Sequence, residues 1–157
     1  MKFDGKPAWL LGAILPAICL LLCCAGCKSD RDPNAPTRID DFDYTSVINN
    51  HLTLYDFAVH LKQDEKLNVV QIQPIRPDVL RAVSAIAIKI DDDEIGAYYF
   101  NIDVTKQREL LAQYHKDGFV YILGVRFPVF MAGSFVLTGV EQHPKKKEIV
   151  EALRSFK

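Results

Sequence analysis

The chain has 157 residues, 49% hydrophobic and 25% charged, with 19 basic against 20 acidic side chains. That length and balance exclude a multi-domain enzyme and a multi-span membrane protein. A near-neutral chain also lacks the excess of Lys and Arg needed to neutralise phosphates, so no nucleic-acid partner is expected.

The apolar residues are unevenly placed. Residues 8–26, AWLLGAILPAICLLLCCAG, carry no charge, and Lys2 and Lys6 precede them with only Asp4 as offset. A positive amino end stays on the cytoplasmic side and sends the following chain outward. The run is long for a secretory core and just short of the roughly 20 residues that span a bilayer, so length leaves a cleaved signal and a retained anchor both open.

The end of the run is more specific. Cys24-Ala25-Gly26-Cys27 sets two small residues before a cysteine, and polar Lys28-Ser29-Asp30 follows. This stretch resembles a bacterial lipoprotein signal peptide with its lipobox, over about the first 30 residues. The resemblance implies that Cys27 takes a diacylglyceryl group on sulfur, palmitate among its acyl chains, and that the leader is cut just before it. The new amino group is then often acylated too. The protein would sit on the cell membrane or outer membrane through lipid on Cys27, with its domain on the extracytoplasmic side. The family prefers Leu three residues before the cysteine; Cys24 stands there, a departure that bears on cleavage efficiency. Each buried methylene contributes about 0.8 kcal/mol, so two or more acyl chains hold a protein stably where one holds it reversibly.

All four cysteines, Cys19, Cys23, Cys24 and Cys27, lie in this leader. Residues 28–157 therefore have no thiol for a disulfide, a thiolate zinc site or a cysteine nucleophile. Residues 28–43, rich in Asp, Pro, Asn and Ser, read as a tether too polar to offset the entropy of ordering. Without Lys2, Lys6 and Asp4, the rest of the chain carries 17 basic and 19 acidic groups, too balanced to steer a charged ligand.

From Tyr44 to Lys62, apolar Ile48, Leu52, Tyr55 and Val59 recur at helical spacing, with Val47, Ala58 and Leu61 widening the stripe. A long amphipathic helix is expected. His51 and His60 are nine apart, a spacing that does not aim two imidazoles at one metal. Leu67–Gln73 predicts a brief strand ended by Pro74 and Pro77, and Asp78–Ala82 a helical turn. Ile86, Ile88 and Ile90 alternate with Ala85, Ala87 and Lys89, and Ile95–Ile102 resumes after Asp91-Asp92-Asp93-Glu94. Strand, acidic turn and strand make a hairpin. A calcium loop needs alternating oxygen ligands and a glutamate at its twelfth position, which this contiguous run does not supply.

Thr105 is expected to cap a helix with Leu110, Leu111 and Tyr114 inward and Gly118 as its left-handed stop. Strands Phe119–Leu123, Val125–Phe130 and Ser134–Val140 then form a meander with large residues on both faces, which predicts at least partial cover on both. Pro128 marks an edge or a bulge in the middle strand. Pro144 opens a terminal helix with Ile149, Val150, Leu153 and Phe156 inward and Lys145, Lys146 and Lys147 solvated.

The fold class expected over residues 44–157 is α+β: one compact domain whose antiparallel sheet combines a hairpin and a three-strand meander with about three helices. Ser134 reads as a hairpin residue, since the glycine pattern of a nucleophile elbow is missing. His115 and His143 read as capping or exposed residues. No phosphate loop, dinucleotide fingerprint or HExxH segment occurs, so no metal and no cofactor is expected. Strand 95–102, helix 105–117, the segment around Pro128 and the last helix look like the carboxyl half of a thioredoxin fold. In that family the proline is cis and faces a CxxC pair, whereas residues 28–157 have no cysteine to face Pro128.

The leading expectation is a non-catalytic binding or structural module of the cell envelope, with an envelope protein as partner and a contact surface among Tyr98, Tyr99, Phe127 and Phe130. The rival expectation is a small envelope enzyme or a redox-inactive thioredoxin-like domain, with a polar pocket around Pro128 or the hairpin.

Overall fold

The computed structural model describes residues 47–157. The leader with Cys27, the tether 28–43 and Tyr44–Ser46 lie outside the described residues.

The first helix, α1 (Leu54–Gln63), begins where Thr53 and Asp56 close a reciprocal capping box: Asp56 N–H donates to Thr53 Oγ1 at 3.2 Å and Thr53 N–H to Asp56 Oδ2 at 2.8 Å. The box sets the phase of the helix. Leu54, Phe57, Ala58 and Leu61 are buried, whereas Ile48 and Tyr55 are exposed. The helix expected from Tyr44 is therefore corrected to a ten-residue one. Two overlapping series of three- and four-residue spacings coexist here, and the cap selects the one that starts at Leu54.

Six strands follow: β1 (Val69–Pro74), β2 (Ser84–Ile90), β3 (Asp93–Tyr99), β4 (Phe119–Ile122), β5 (Val125–Ala132) and β6 (Phe135–Thr138). They form one antiparallel sheet in the order β1-β2-β3-β6-β5-β4. Two more helices, α2 (Thr105–Asp117) and α3 (Lys146–Ser155), complete the α+β fold, and a single turn of 3-10 helix spans Pro77–Val79. The hairpin and the meander both form, and pairing of β3 with β6 joins them.

The β2–β3 register places Ile88 opposite Ile95 and Lys89 opposite Glu94, so Asp93 and Glu94 belong to β3 and only Asp91-Asp92 remain in the turn. Asp91 adopts φ 53, a left-handed conformation that Asp tolerates better than most residues. Its carboxylate meets Lys145 Nζ at 2.7 Å, tying the turn to the approach of α3. Lys146 pairs with Glu141 at 2.9 Å, so Lys145 and Lys146 are ion-paired and half-buried, while Lys147, 4.0 Å from Glu151, is solvated as expected. The hydrogen bond from Lys145, then that from Asn68, holds the Asp91 carboxyl below its ordinary value.

The start of α3 is prepared by His143, which is buried. Its Nδ1 accepts from Lys145 N–H at 3.0 Å, which leaves Nε2 as the protonated nitrogen, 3.3 Å from Ile90 O. Solvent exposure of His143 is not found; its ring holds the N–H of Lys145, the N-cap of α3, which itself has no side-chain capping bond. At α2, Thr105 is the first helical residue; the cap is Val104, whose side chain makes no capping bond. Gly118, at φ 73, ends α2 as expected.

Side chains alternate across the sheet and build two cores. On one face α1 and α3 cover Ile88, Ile90, Ile95, Ala97, Phe135 and Leu137. On the other, α2 and Leu80 cover Ala85, Tyr98, Phe100, Val120 and Val136. Strand β6 is buried along its whole length, between both cores. Phe135 is fully buried, with ring centroids 5.1 Å from Phe156, 5.5 Å from Tyr99 and 5.9 Å from Phe57.

Pro128 lies in an interior strand, yet the expectation of an edge holds locally. Only Val129–Ala132 of β5 pair with β6, so Val125–Pro128 pair with β4 alone, and the N–H that proline lacks falls where β6 has ended. No peptide bond among the described residues is cis, so Pro128 departs from the thioredoxin-like proline.

Two outcomes follow from this packing. Phe135→Ala should lower the free energy of unfolding by about 3–5 kcal/mol in urea denaturation, as expected for an aromatic removed from a core that cannot collapse around the gap. For Asp91, the depressed native value stabilises the fold above the ordinary carboxylate range, and that share is lost as pH falls through the native value. Melting temperature plotted against pH should thus show wild type above Asp91→Asn at neutral pH and the two curves converging in acid; a constant gap would sink the assignment.

Candidate contact surface

Three polar or open regions stand out, and they differ in what they can do. The first is a seam where the chain enters the domain. Asn49 is fully buried; its Nδ2 donates to Ala132 O at 3.2 Å and Phe156 O at 3.1 Å, and its Oδ1 accepts from Ser134 N–H at 2.8 Å. Next to it Asn50 Oδ1 accepts from Ile102 N–H at 3.1 Å and from Ser134 Oγ at 3.0 Å, and Asn50 Nδ2 donates to Asp103 Oδ2 at 2.7 Å. Tyr99 donates its hydroxyl to Asn50 O at 2.8 Å, and burial, with the Asp103 carboxylate adding to it, pushes that phenol above its ordinary value. Every polar group of the seam has a partner inside the domain, which makes it a fastening rather than a reaction centre. Ser134 has no base beside it. Gly133, at φ 56, is required there, because a Cβ would stand 2.6 Å from Val47 O and overlap the Asn49 side chain.

The second is an open cleft of about 350 Å³ between α1 and α3, lined by His60, Gln63, Asp64, Glu151, Ala152 and Ser155. His60 Nε2 lies 3.0 Å from Ala152 O and 3.1 Å from Ser155 Oγ, which resembles a nucleophile and its base. The serine hydroxyl, however, donates to Ala152 O at 3.0 Å. Both side chains converge on one carbonyl of the last turn of α3 and so satisfy a helix end. The ring also packs on Phe156, with centroids 5.3 Å apart. His60 is thus a helix-edge residue, as its spacing from His51 predicts.

The third is the β4–β5 ribbon. Its turn, Leu123-Gly124, has φ 51 and 81, the doubly left-handed geometry of a two-residue hairpin that favours Asn-Gly. Leu123 occupies the first position and is 97% exposed, with Tyr121 63% and Val125 56% exposed beside it. Arg126 places its guanidinium 3.9 Å above the Phe119 ring, and Phe119 meets Tyr121 edge to face with centroids 5.3 Å apart. On the opposite side Val120 is buried and Ile122 and Phe127 pack against the α2 core.

The partial cover expected on both faces of the meander is found, and at β4 it is one-sided: α1 and α3 serve the inner strands, and Tyr121 and Leu123 are left open. The residues expected to form a contact surface are corrected. Tyr98 is buried in the α2 core, Tyr99 is held by Asn50, and Phe127 and Phe130 pack against the two cores. On the β4–β5 ribbon the residues that do reach solvent are Tyr121, Leu123 and Val125; Ile48, Tyr55, Val70 and Val83 are exposed elsewhere on the domain. A leucine in an Asn-type turn position was the available signal.

Among the described residues no group of three His, Cys, Asp or Glu side chains is placed to hold a metal, and no helix is long and apolar enough to cross a membrane. Comparison of the chain with known protein families, curated proteins and solved structures found no match.

Holding a leucine in the left-handed region costs about 1 kcal/mol. Leu123→Asn should accordingly leave the domain as stable or raise its unfolding free energy by up to about 1 kcal/mol, measured by urea denaturation. A clear loss of stability would mean that Leu123 is a packing residue of its own domain.

Proposed function

We propose that this chain is an extracytoplasmic lipoprotein, held on the cell membrane or outer membrane through acyl groups on Cys27, whose domain acts as a non-catalytic binding or structural module of the envelope. Its contact surface is the open side of the β4–β5 ribbon. The observation that carries the contact role is Leu123, which is unfavourable twice over within its own domain: it is exposed, and it holds a left-handed backbone. Neither cost is repaid inside the domain, so the gain lies in a partner.

The attachment reading is supported by the charge-free run 8–26 ending in Cys24-Ala25-Gly26-Cys27, and by the lack of any other cysteine after the leader. A membrane address also agrees with a small domain that keeps a modest apolar surface, since confinement to two dimensions raises the effective concentration of a partner held on the same membrane.

Attachment is tested by the intact mass of protein extracted from membranes of its native host. The wild-type chain should be shortened by its leader and heavier by acyl groups, while Cys27→Ser should keep the leader and gain nothing. Identical processing of the two would end the lipoprotein reading.

A further inference from the structure

We propose that β4 pairs with β4 of a second copy of this chain, in an antiparallel register with its two-fold axis at Tyr121. The inference deepens the reading of the ribbon as a contact surface and rests on it, but it does not depend on attachment at Cys27.

A sheet in the order β1-β2-β3-β6-β5-β4 has two edges, and they are treated differently. The register of β1 shifts between Val69 and Gln71, and the strand ends in Pro74; both devices discourage a further strand. Strand β4, FVYI, contains no charge and no proline, and its register with β5 is uninterrupted. Among the described residues it is the unprotected edge.

The backbone of β4 is already set for a partner. A two-residue hairpin closes on a hydrogen-bonded pair, here Ile122 with Val125, and bonded and non-bonded pairs alternate from there. Val120 and Ile122 therefore bond inward to β5, while Phe119 and Tyr121 turn their N–H and C=O outward. An antiparallel copy centred on Tyr121 sets the outward groups of Tyr121 against those of the partner's Tyr121, and brings Phe119 opposite the partner's turn residue Leu123. It also supplies strands to a two-stranded overhang, Val125–Pro128 with β4, of a kind that is marginal in water alone.

The side chains agree with that register. Tyr121 faces the partner's Tyr121, Phe119 lies beside the partner's Leu123, and Val120 faces the partner's Ile122, so each apolar side chain of β4 meets an apolar one. Charge does not oppose the pairing. The nearest cations on the ribbon are the two copies of Arg126, three strand spacings apart, or about 14 Å, which exceeds the screening length of about 8 Å at physiological salt. Pairing at the strand edge covers Tyr121 and Leu123 in part and leaves Val125, on β5 and on the other side of the ribbon, in solvent, so the contact is small and the dimer reversible.

Because the axis passes through Tyr121, that residue meets itself, and a charge placed there meets its own sign. Two differently tagged full-length chains, mixed in mild detergent, should co-purify as wild type. Recovery should fall at least about tenfold, or ~1.4 kcal/mol, when both carry Tyr121→Lys or both carry Tyr121→Glu. A mixture of Tyr121→Lys with Tyr121→Glu should restore it, and unchanged melting curves would show that the exposed position tolerates either residue. Like-charged copies that associate as wild type, or a mixed pair no better than the like-charged ones, would overturn the pairing. A benzophenone amino acid at position 121 of the full chain, illuminated in its own membrane, separates the remaining occupants. A cross-link of this chain to itself supports the pairing. An adduct with lipid or another protein alone overturns it and leaves the ribbon a contact surface; no adduct at 121 overturns both readings.

Discussion

The pairing of β3 with β6 is the interaction on which the rest of this fold depends. Each of the two hairpin systems can form from neighbouring sequence, β2 with β3 and β5 with its flanking strands, but a small sheet of two or three strands has too little covered surface to persist alone. Register from Gly96 opposite Thr138 to Tyr99 opposite Phe135 merges them. It also brings β6 between two cores and so lets four residues bury both faces. The approach at one end is close enough that a Cβ on Gly96 would lie 2.6 Å from Thr138 Oγ1 and 2.9 Å from the Tyr98 ring, which gives this strand glycine a packing reason.

Joining the two systems places the helices and also decides what they leave uncovered. With α1 and α3 centred over the inner strands and α2 over the other face, no helix remains for the outer side of β4. The ribbon that outruns β6 is thus a product of length: β5 has eight residues and β6 only four. What looks like an incomplete core is the consequence of a strand that extends past its neighbour, and it puts Tyr121, Leu123 and Val125 in solvent.

The chain enters the domain at the other end of β5. Val47 and Asn49 are buried against the Gly133 turn, and eight strand residues at about 3.3 Å each separate that turn from the Leu123 tip by about 26 Å. The buried amide of Asn49 bonds to Ala132, Ser134 and Phe156, so tension on the entering chain would be borne by the sheet and the end of α3 together.

Local chemistry in the chain determined a good deal. Alternating Ile86, Ile88 and Ile90 marked β2, Gly118 marked the end of α2, and Ile149, Val150, Leu153 and Phe156 marked the inward side of α3, because burial period and capping act within a few residues. The start of α1 was misplaced because two helical series overlap and only the Thr53–Asp56 box separates them. Solvation of Lys145 and Lys146 was misjudged because their acidic partners are distant or easily overlooked in sequence. The exposed ribbon was legible only as a leucine before a glycine in a turn; that Tyr121 is open while Tyr98 is buried depends on which strands the helices reach. The sequence by itself thus determined the elements, the α+β class and the thiol-free domain, through short-range periodicity and composition. Tertiary structure alone decided the β3–β6 junction, the overhang and the exposed edge, since hydrogen-bond register and helix coverage are set between residues far apart in the chain.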